Sequence, residues 1–310
     1  MKLVELNQLD PPEFPVVTSG TFDGVHVGHQ KILQNIVQYA RKNNGKTIVI
    51  TFWPHPRFVL KKNAEELKLL TTFEEKAALV ENIGIDFLVR IPFTKEFSRL
   101  TSEQFIQQVL VDKIRTRKLV IGYDHRFGNN REGGFDYLKE NSGRYGFEVE
   151  EIPRQDIEHV GVSSSKIREA ISNGEVHVAN EFLGRHYAVT GFVKDGDRIG
   201  RSIGFPTANI DVPEQYKLIP ADGAYAVFVE LGQRHLQGML NVGQRPTVSG
   251  RERRIEVNIF NFDEDIYNQR LTIRFVKRLR AEKKFNNLDQ LKEQLDIDKQ
   301  TAYEILSELS

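Results

Sequence analysis

The chain has 310 residues, which is enough for two domains that each bury a core. Its 43 Lys and Arg residues balance its 43 Asp and Glu residues, so no overall field favours nucleic acid or an anionic membrane as a partner. The lack of cysteine excludes disulfides, thiolate zinc sites and thiol catalysis. No apolar run approaches the ~20 residues of a membrane span, and the first ten residues lack the apolar core of a signal peptide. We therefore expect a cytoplasmic protein.

The N-terminal half alternates strand-like and helix-like segments from about residue 15 to 150, which is typical of a parallel sheet wrapped by helices. Residues 16–18 are expected to form the first strand, and apolar residues at helical spacing over 32–40 predict a helix after it. Further buried strands are predicted at residues 47–52, 87–91 and 118–122. Because these strands end just before polar loops, we expect an active site at that edge of the sheet.

The pattern changes after about residue 185 to short alternating runs separated by Gly, Pro and Asp, which is typical of an all-β domain. The clearest strands are predicted at residues 224–229, 254–259 and 271–275. Leucines at helical spacing from Leu288 predict a terminal helix that continues to about Leu309. The boundary between the two domains is predicted at 183/184.

The sharpest motif, Gly-Thr-Phe-Asp-Gly-Val-His-Val-Gly-His-Gln at residues 20–30, lies between the first predicted strand and helix. Its glycines let the backbone approach a ligand, and the start of a helix offers free N–H groups and a positive dipole end. His26 and His29 lie one helical turn apart and can stabilise charge that develops on phosphorus. The alternative is a tight turn with two hydrogen-bonded histidines. The predicted phosphate-binding residues are Gly20, Phe22, Asp23 and Gly28.

A second cluster, Val-Ser-Ser-Ser-Lys-Ile-Arg, occupies residues 162–168. Serines before a helix cap its free amides, and two cations in its first turns can hold an outgoing pyrophosphate. An ordinary capped surface helix is the alternative. The residues concerned are Ser163, Ser164, Ser165, Lys166 and Arg168. Together with the histidine motif, this cluster resembles the nucleotidyltransferase superfamily, in which both motifs surround the phosphates of ATP.

Two further segments narrow the resemblance. Thr-Phe-Trp-Pro-His-Pro at 51–56 and Gly-Tyr-Asp-His-Arg-Phe-Gly at 122–128 look like acceptor-side motifs of the bacterial bifunctional riboflavin kinase and FAD synthetase family. The resemblance implies that FMN is the acceptor, with Pro56, Asp124 and Arg126 near the flavin phosphate or its magnesium. Without it, the first segment is a loop stiffened by prolines and the second a polar loop.

The second half contains a glycine-rich stretch that runs into Gly-Arg-Ser-Ile-Gly-Phe-Pro-Thr-Ala-Asn at residues 200–209. Backbone N–H groups near Gly200 and Arg201 suit a triphosphate, and Thr207 and Asn209 carry the oxygen donors that magnesium prefers. No Walker loop is present. Gly-Phe-Pro-Thr-Ala-Asn resembles the riboflavin kinase signature, although a β-turn loop in a small barrel is the alternative.

Phosphorylation of a neutral hydroxyl requires a base. In residues 255–259 the apolar side chains share one strand face, which leaves Glu256 on the other as the candidate base, or else as a solvent-facing residue. By resemblance, Arg245, Arg280 and Phe285 contact the flavin. Val248 and Ser249 depart from the aromatic residue and glycine that relatives often carry at these positions.

The resemblance covers residues 16–305 and implies α/β plus all-β folds: a Rossmann-like nucleotidyltransferase sheet domain at 1–183 and a small Greek-key β-barrel with a terminal helix at 184–310. It implies that the barrel phosphorylates riboflavin to FMN and that the sheet domain adenylates FMN to FAD, with ATP as co-substrate and Mg2+ as cofactor. Partners are expected to be small molecules only, and the oligomeric state is not predicted. Two alternatives are a nucleotidyltransferase for another small phosphate, which needs no kinase barrel, and a flavin-sensing protein, which needs no phosphate-binding residues or base.

Overall fold

A computed structural model describes the chain except for residues 61–66, 124, 130–132, 154–160, 197–199, 201–202, 248–249 and 310; of residues 245–247 and 250–252 it describes only the backbone. The described residues form two compact units, Met1–Ser164 and Ser165–Ser310. The division lies earlier in the chain than the predicted boundary at 183/184, because the segment that follows residue 164 bonds to the second unit. Asn180 Nδ2 donates to Phe275 O at 2.9 Å, and Ala221 N donates to Ile171 O at 3.2 Å.

The first unit is built on a six-stranded parallel sheet. Its strands lie in the order β1-β4-β3-β2-β5-β6, so the direction in which the chain crosses the sheet changes between β2 and β5. Open parallel sheets bind ligands outside the carboxyl ends of the strands at such a switch point. The strands are β1 Lys2–Glu5, β2 Pro15–Ser19, β3 Lys46–Trp53, β4 Phe87–Pro92, β5 Lys118–Gly122 and β6 Glu148–Ile152.

Helices cover both faces of this sheet. Val16 and Val17 point to opposite faces because strand side chains alternate; Val16 packs with helix α1 and Val17 with helix α4 and its continuation. This two-sided core confirms the predicted parallel sheet wrapped by helices. The helices are α1 Val27–Lys42, α2 Pro56–Leu60, α3 Phe73–Asn82, α4 Ser102–Phe105, which continues as a π-helical segment Ile106–Val111, and α5 Phe135–Tyr145.

The prediction that residues 16–18 form the first strand was wrong, because β1 precedes them. Lys2 and Leu3 are exposed on this strand, which pairs only with β4 at the edge of the sheet. An edge strand with exposed side chains lacks the continuous apolar run that marks a buried parallel strand. The other predicted strands of this half fall within β3, β4 and β5.

The second unit is a closed antiparallel barrel with the strand order β10-β11-β8-β7-β12-β9. Its strands are β7 Tyr187–Lys194, β8 Ala208–Asp211, β9 Gly223–Leu231, β10 Arg234–Thr247, β11 Gly250–Ile259 and β12 Arg270–Ala281. Helices α6 Ser164–Ser172 and α7 Val176–Leu183 precede the barrel, and α8 Leu288–Ser307 follows it.

Helix α8 packs on the barrel through Ala302 and Leu306, which join a core cluster with Phe205, Met239 and Val276. The predicted barrel with a terminal helix is therefore confirmed, although the helix ends before Leu309. Within the ranges that the structure describes, no helix is both long and apolar enough to cross a membrane.

Candidate active sites

The loop between β2 and α1 is tightly wound. Phe22 and Val25 have φ values of 47° and 39°, and Gly24 lies between them at 82°. A non-glycine residue in this region costs of order 1–3 kcal/mol and persists only where its surroundings enforce it. The surroundings do so here: Val25 N donates to Phe22 O at 3.2 Å, and Gln30 Nε2 donates to Val25 O at 2.9 Å.

Asp23 fixes this loop to the segment at Leu70 and Thr71. Its carboxylate is 3 % exposed and accepts from Leu70 N at 3.0 and 3.1 Å and from Thr71 N at 3.1 Å. Thr71 Oγ1 also accepts from Gly24 N at 3.2 Å, so the two segments are joined at two points. The carboxylate is therefore engaged with protein amides, and the predicted phosphate contact of Asp23 depends on its backbone.

The two predicted histidines come together at the start of α1. His26 is the N-cap residue, and its Nδ1 accepts from His29 N at 3.3 Å. Their rings stack with centroids 3.6 Å apart, and Phe22 packs edge-on against His29 at 5.2 Å. Gly28 lies between the two histidines and is buried in the first helical turn, and Gly20 directly follows β2. The His29 backbone and the His26 ring are thus hydrogen-bonded at the positive end of a 16-residue helix.

The serine cluster contacts this loop through Ser164. Ser164 Oγ donates to Asp23 O at 3.0 Å. Helix α6 begins at Ser164, so Ser165 and Lys166 lie exposed in its first turn and Arg168 is half-buried in its second. Ser163 is half-buried just before the helix.

The acceptor-side motifs lie at the carboxyl ends of β3 and β5. Ser19, the last residue of β2, is 2.9 Å from His125 Nε2, which bridges the switch point between β2 and β5. Arg126 is exposed, and Pro56 begins α2. Asp124 lies outside the described residues. His125 was not predicted as a site residue, although it stands within the motif at 122–128 that was singled out.

Sequence reasoning also missed Lys76. This lysine on α3 is 5 % exposed, and its Nζ donates to Thr51 Oγ1 at 2.8 Å and to Thr21 O at 3.2 Å. Burial lowers its pKa from 10.5 to about 8, and the nearby Asp23 charge opposes that shift. The available signal was its spacing, because Lys76 follows Phe73 by three residues and precedes Val80 by four, within the buried stripe of the helix.

The second unit contains a cavity of about 350 Å³. Two of its walls come from the glycine-rich stretch and from the end of β12 with the segment after it. The predicted residues that it brings together are Gly200, Thr207, Asn209, Glu256, Arg280 and Phe285. Arg201 lies outside the described residues, and Arg245 belongs to β10 with its side chain undescribed.

Strand register explains why Glu256 reaches this cavity. On β11 it pairs with Asn209 of β8 on one side and with Asn241 of β10 on the other. Directly opposite residues of antiparallel strands project to the same face, so the three polar side chains form a row. Asn258, two residues along the same strand, donates to Pro206 O at 2.7 Å and fixes the turn before Thr207.

Another wall of the 350 Å³ cavity includes Asp298, which the sequence analysis did not predict as a site residue. Asp298 on α8 is 3 % exposed and accepts from Arg280 Nε at 2.9 and 3.1 Å, while Gln294 Nε2 donates to it at 3.0 Å. The guanidinium of Arg280 also lies 5.7 Å from the ring centroid of Phe285. Asp298 interrupts the apolar stripe of the helix, which is the signal that could have identified it.

A second cavity of about 440 Å³ adjoins the barrel on the far side of Thr207. Its walls include Val193, Pro206 and the segment from Phe262 to Tyr267 after β11. Thr207 lines both cavities. The barrel therefore holds two adjoining spaces that share a hydroxyl-bearing side chain.

Comparison with known protein families assigns both units. The family model described as FAD synthetase matches residues 10–166, and the model described as riboflavin kinase matches residues 183–306.

Curated relatives resemble the whole chain. A bifunctional riboflavin kinase/FMN adenylyltransferase of Bacillus subtilis is 37 % identical over 299 residues, 95 % of this chain and 93 % of the relative. The protein of that name from Escherichia coli is 37 % identical over 295 residues, with the same coverage, and the one from Listeria monocytogenes is 39 % identical over 297 residues.

Among solved structures, a crystal structure described as a macrolide-efflux protein from Streptococcus pneumoniae matches with a TM-score of 0.87 and 32 % identity. The match covers 95 % of this chain and 95 % of that chain.

Proposed function

The chain belongs to the family of bifunctional riboflavin kinase/FMN adenylyltransferases, and from that premise we propose which of its residues carry each reaction. The enzyme phosphorylates riboflavin to FMN with ATP and adenylates FMN to FAD with ATP, releasing pyrophosphate. The kinase reaction belongs to the barrel and the adenylyl transfer to the sheet unit, since the two family models match these parts of the chain separately.

For adenylyl transfer, we propose that the loop at residues 20–29 holds the phosphates of ATP. A phosphate oxygen of FMN attacks the α-phosphorus, the bond to the bridging oxygen breaks and pyrophosphate leaves. FMN is already an anion, so the step requires positioning and charge neutralisation more than a base. The histidine pair at the start of α1 supports this assignment, because both rings lie at the positive end of a helix. Arg168, Lys166 and the serines of the 163–165 cluster are assigned to the pyrophosphate.

We assign the flavin phosphate to Pro56 and Arg126. Asp124, which lies outside the described residues, is a further candidate from the sequence alone. The Ser19–His125 contact supports the location, since it lies at the switch point where ligands of parallel sheets bind.

For the kinase reaction, we assign riboflavin to the 350 Å³ cavity and ATP to the 440 Å³ cavity. The observation that carries this assignment is the position of Thr207 on the border of the two spaces. The 5′-hydroxyl of riboflavin attacks the γ-phosphorus, its proton passes to the carboxylate of Glu256, and ADP leaves. Gly200 and Arg201 are assigned to the phosphates, and Arg245, Arg280 and Phe285 to the flavin.

The residues around Thr207 fit a magnesium ion. The hydroxyl of Thr207 and the amide oxygen of Asn209 are hard oxygen donors, which this ion prefers, and it commonly takes its remaining ligands from phosphates and water. When bound, Mg2+ would neutralise charge on the transferring phosphoryl group.

A cytoplasmic location, small molecules as the only partners, and a functional boundary at 183/184 remain proposals. A boundary at 183/184 assigns α6 and α7 to the adenylyltransferase. We keep it as the functional boundary because α6 carries Arg168, which is assigned to the pyrophosphate.

To test this function, the purified enzyme is incubated with riboflavin, ATP and magnesium, and the flavins are separated by chromatography over time. FMN should appear first and FAD second. FMN without FAD, even when FMN is supplied directly, would contradict the assignment of the sheet unit, and no new flavin would contradict both assignments and favour the sensor alternative.

A further inference from the structure

Lys76 is a buried cation without a role in the sites described so far. Its ammonium group bridges two segments that leave neighbouring strands: Thr51 belongs to β3, and Thr21 follows β2. The rings of Phe73 and Trp53 lie 5.2 and 5.9 Å from Nζ. Burying an ammonium group away from water costs free energy. A lysine kept in such a position therefore suggests a functional role.

The contacts of Lys76 complete a clamp on the histidine loop. On one side, Asp23 accepts from the amides of Leu70 and Thr71, just before α3. On the other, Lys76 of α3 donates to Thr21 O. The start of α3 is itself fixed by a capping box between Thr72 and Glu75. Helix α3 and the segment just before it therefore both hold the strained turn.

We propose that Lys76 is a positioning residue for FMN adenylylation. It holds the Thr21–Gly24 turn in the conformation that presents the histidine pair. It also keeps a positive charge beside the loop at residues 20–29, to which it donates at Thr21 O. The inference rests on the assignment of ATP phosphates to residues 20–29. A charge with little solvent around it acts more strongly on bound phosphates than an exposed one. This charge would stabilise the polyphosphate of ATP and the leaving pyrophosphate.

Asp23, on the loop after β2, is the charged group whose field acts on this lysine. Arg90 of β4 contacts the same Phe73 ring, 5.4 Å from its centroid. Glu75, the preceding residue on α3, accepts from Thr72 N at 2.9 Å. The residues contributed by β3, Thr51 and Trp53, carry no charge. Since the pKa of Lys76 is lowered to about 8, the charge is present at neutral pH and is lost as the pH rises above that value.

The first test replaces Lys76 with Met, which keeps the length of the side chain and removes the charge. We expect K76M to lower kcat/KM for adenylylation of supplied FMN by at least about tenfold, while riboflavin phosphorylation by the same protein stays unchanged. The matched control is K42M, at an exposed lysine near the end of α1, which should retain both activities. Far-ultraviolet circular dichroism reports whether each variant is folded.

The second test is the pH profile, which a merely structural role would not move. FMN adenylylation by the wild type should fall as the pH rises from 7 to 9, and K76R, whose guanidinium stays charged, should fold, keep activity within about threefold and lack this fall. A flat wild-type profile, a folded K76R as inactive as K76M, or a K76M that retains full activity would each overturn the proposal. Failure of the proposed phosphate site would appear separately, as H29A protein that still forms FAD at the wild-type rate.

Discussion

Arg280 and Asp298 form a buried two-point ion pair across β12 and α8, with Nε 2.9 Å and Nη2 2.8 Å from the same carboxylate oxygen. Both residues line the cavity assigned to riboflavin. The guanidinium therefore cannot turn freely, and its face remains near Phe285. The terminal helix thus takes part in shaping the kinase site.

Substitution of Asp298 by Asn should raise the KM for riboflavin by about tenfold, because Arg280 loses the charge that orients it. The same change should lower the thermal unfolding temperature of the barrel, since removal of one partner from a buried pair costs about 3–5 kcal/mol. FMN adenylylation should be unchanged. D296N, at an exposed position on the same helix, provides the control. An unaltered riboflavin KM in folded D298N would refute the role given to this pair.

Gly196 lies against the predicted magnesium ligand. A Cβ atom at this position would be 1.9 Å from Asn209 Nδ2, a distance that forces the amide to move. We expect G196A to reduce riboflavin phosphorylation by at least about tenfold and to raise its requirement for magnesium. In G143A, the added Cβ meets no atom within 4 Å, so both activities should persist. Equal magnesium dependence in G196A and wild type would contradict the assignment of Asn209.

The sequence predicted what periodicity and local motifs encode. Residues 32–40 gave the buried face of α1, and the alternation around Glu256 placed this residue toward a ligand rather than the core. It did not reveal contacts between distant segments, since no local pattern specifies them. Asp23 was assigned to phosphate because nothing in its neighbourhood indicates that Leu70 and Thr71 donate to it.

Lys76 and Asp298 were missed for one shared reason. Each occupies a core position of an amphipathic helix. Helix α3 was not predicted, and the terminal helix was predicted from its apolar residues alone. A charged residue at such a position is costly without a partner, so it marks a buried polar contact. The partners, Thr21 with Thr51 and Arg280, become known only from the fold.

Removal of the Asp23 carboxylate should destabilise the sheet unit. Its hydrogen bonds to Leu70 and Thr71 are charge-assisted, and such bonds contribute about 1.5–3 kcal/mol each at most. D23A should therefore lower the free energy of unfolding by about 2–4 kcal/mol, as measured by urea denaturation with Trp53 fluorescence. D10A, at an exposed position, should change it by less than about 0.5 kcal/mol. A D23A protein as stable as D10A would show that the carboxylate does not hold the loop.

Lys76 should also make stability depend on pH. Because its pKa in the folded state is lowered from 10.5 to about 8, the unfolded chain binds more protons between these values. The wild type should therefore gain stability relative to K76M as the pH rises from about 8 to 10.5, by on the order of 3 kcal/mol in total. Urea denaturation of both proteins at pH 7.5 and pH 10 measures this difference. A pH-independent difference would mean that Lys76 titrates normally.

The central claim is that two separate sites catalyse two successive reactions, with Glu256 required for the first and His29 for the second. The most direct measurement is a flavin time course of E256Q, H29A and their equimolar mixture, each supplied with riboflavin, ATP and magnesium. We predict that E256Q leaves riboflavin unconverted but turns added FMN into FAD, that H29A accumulates FMN, and that the mixture forms FAD. Loss of both activities in either variant while it remains folded, or FAD formation from riboflavin by H29A alone, would contradict the account.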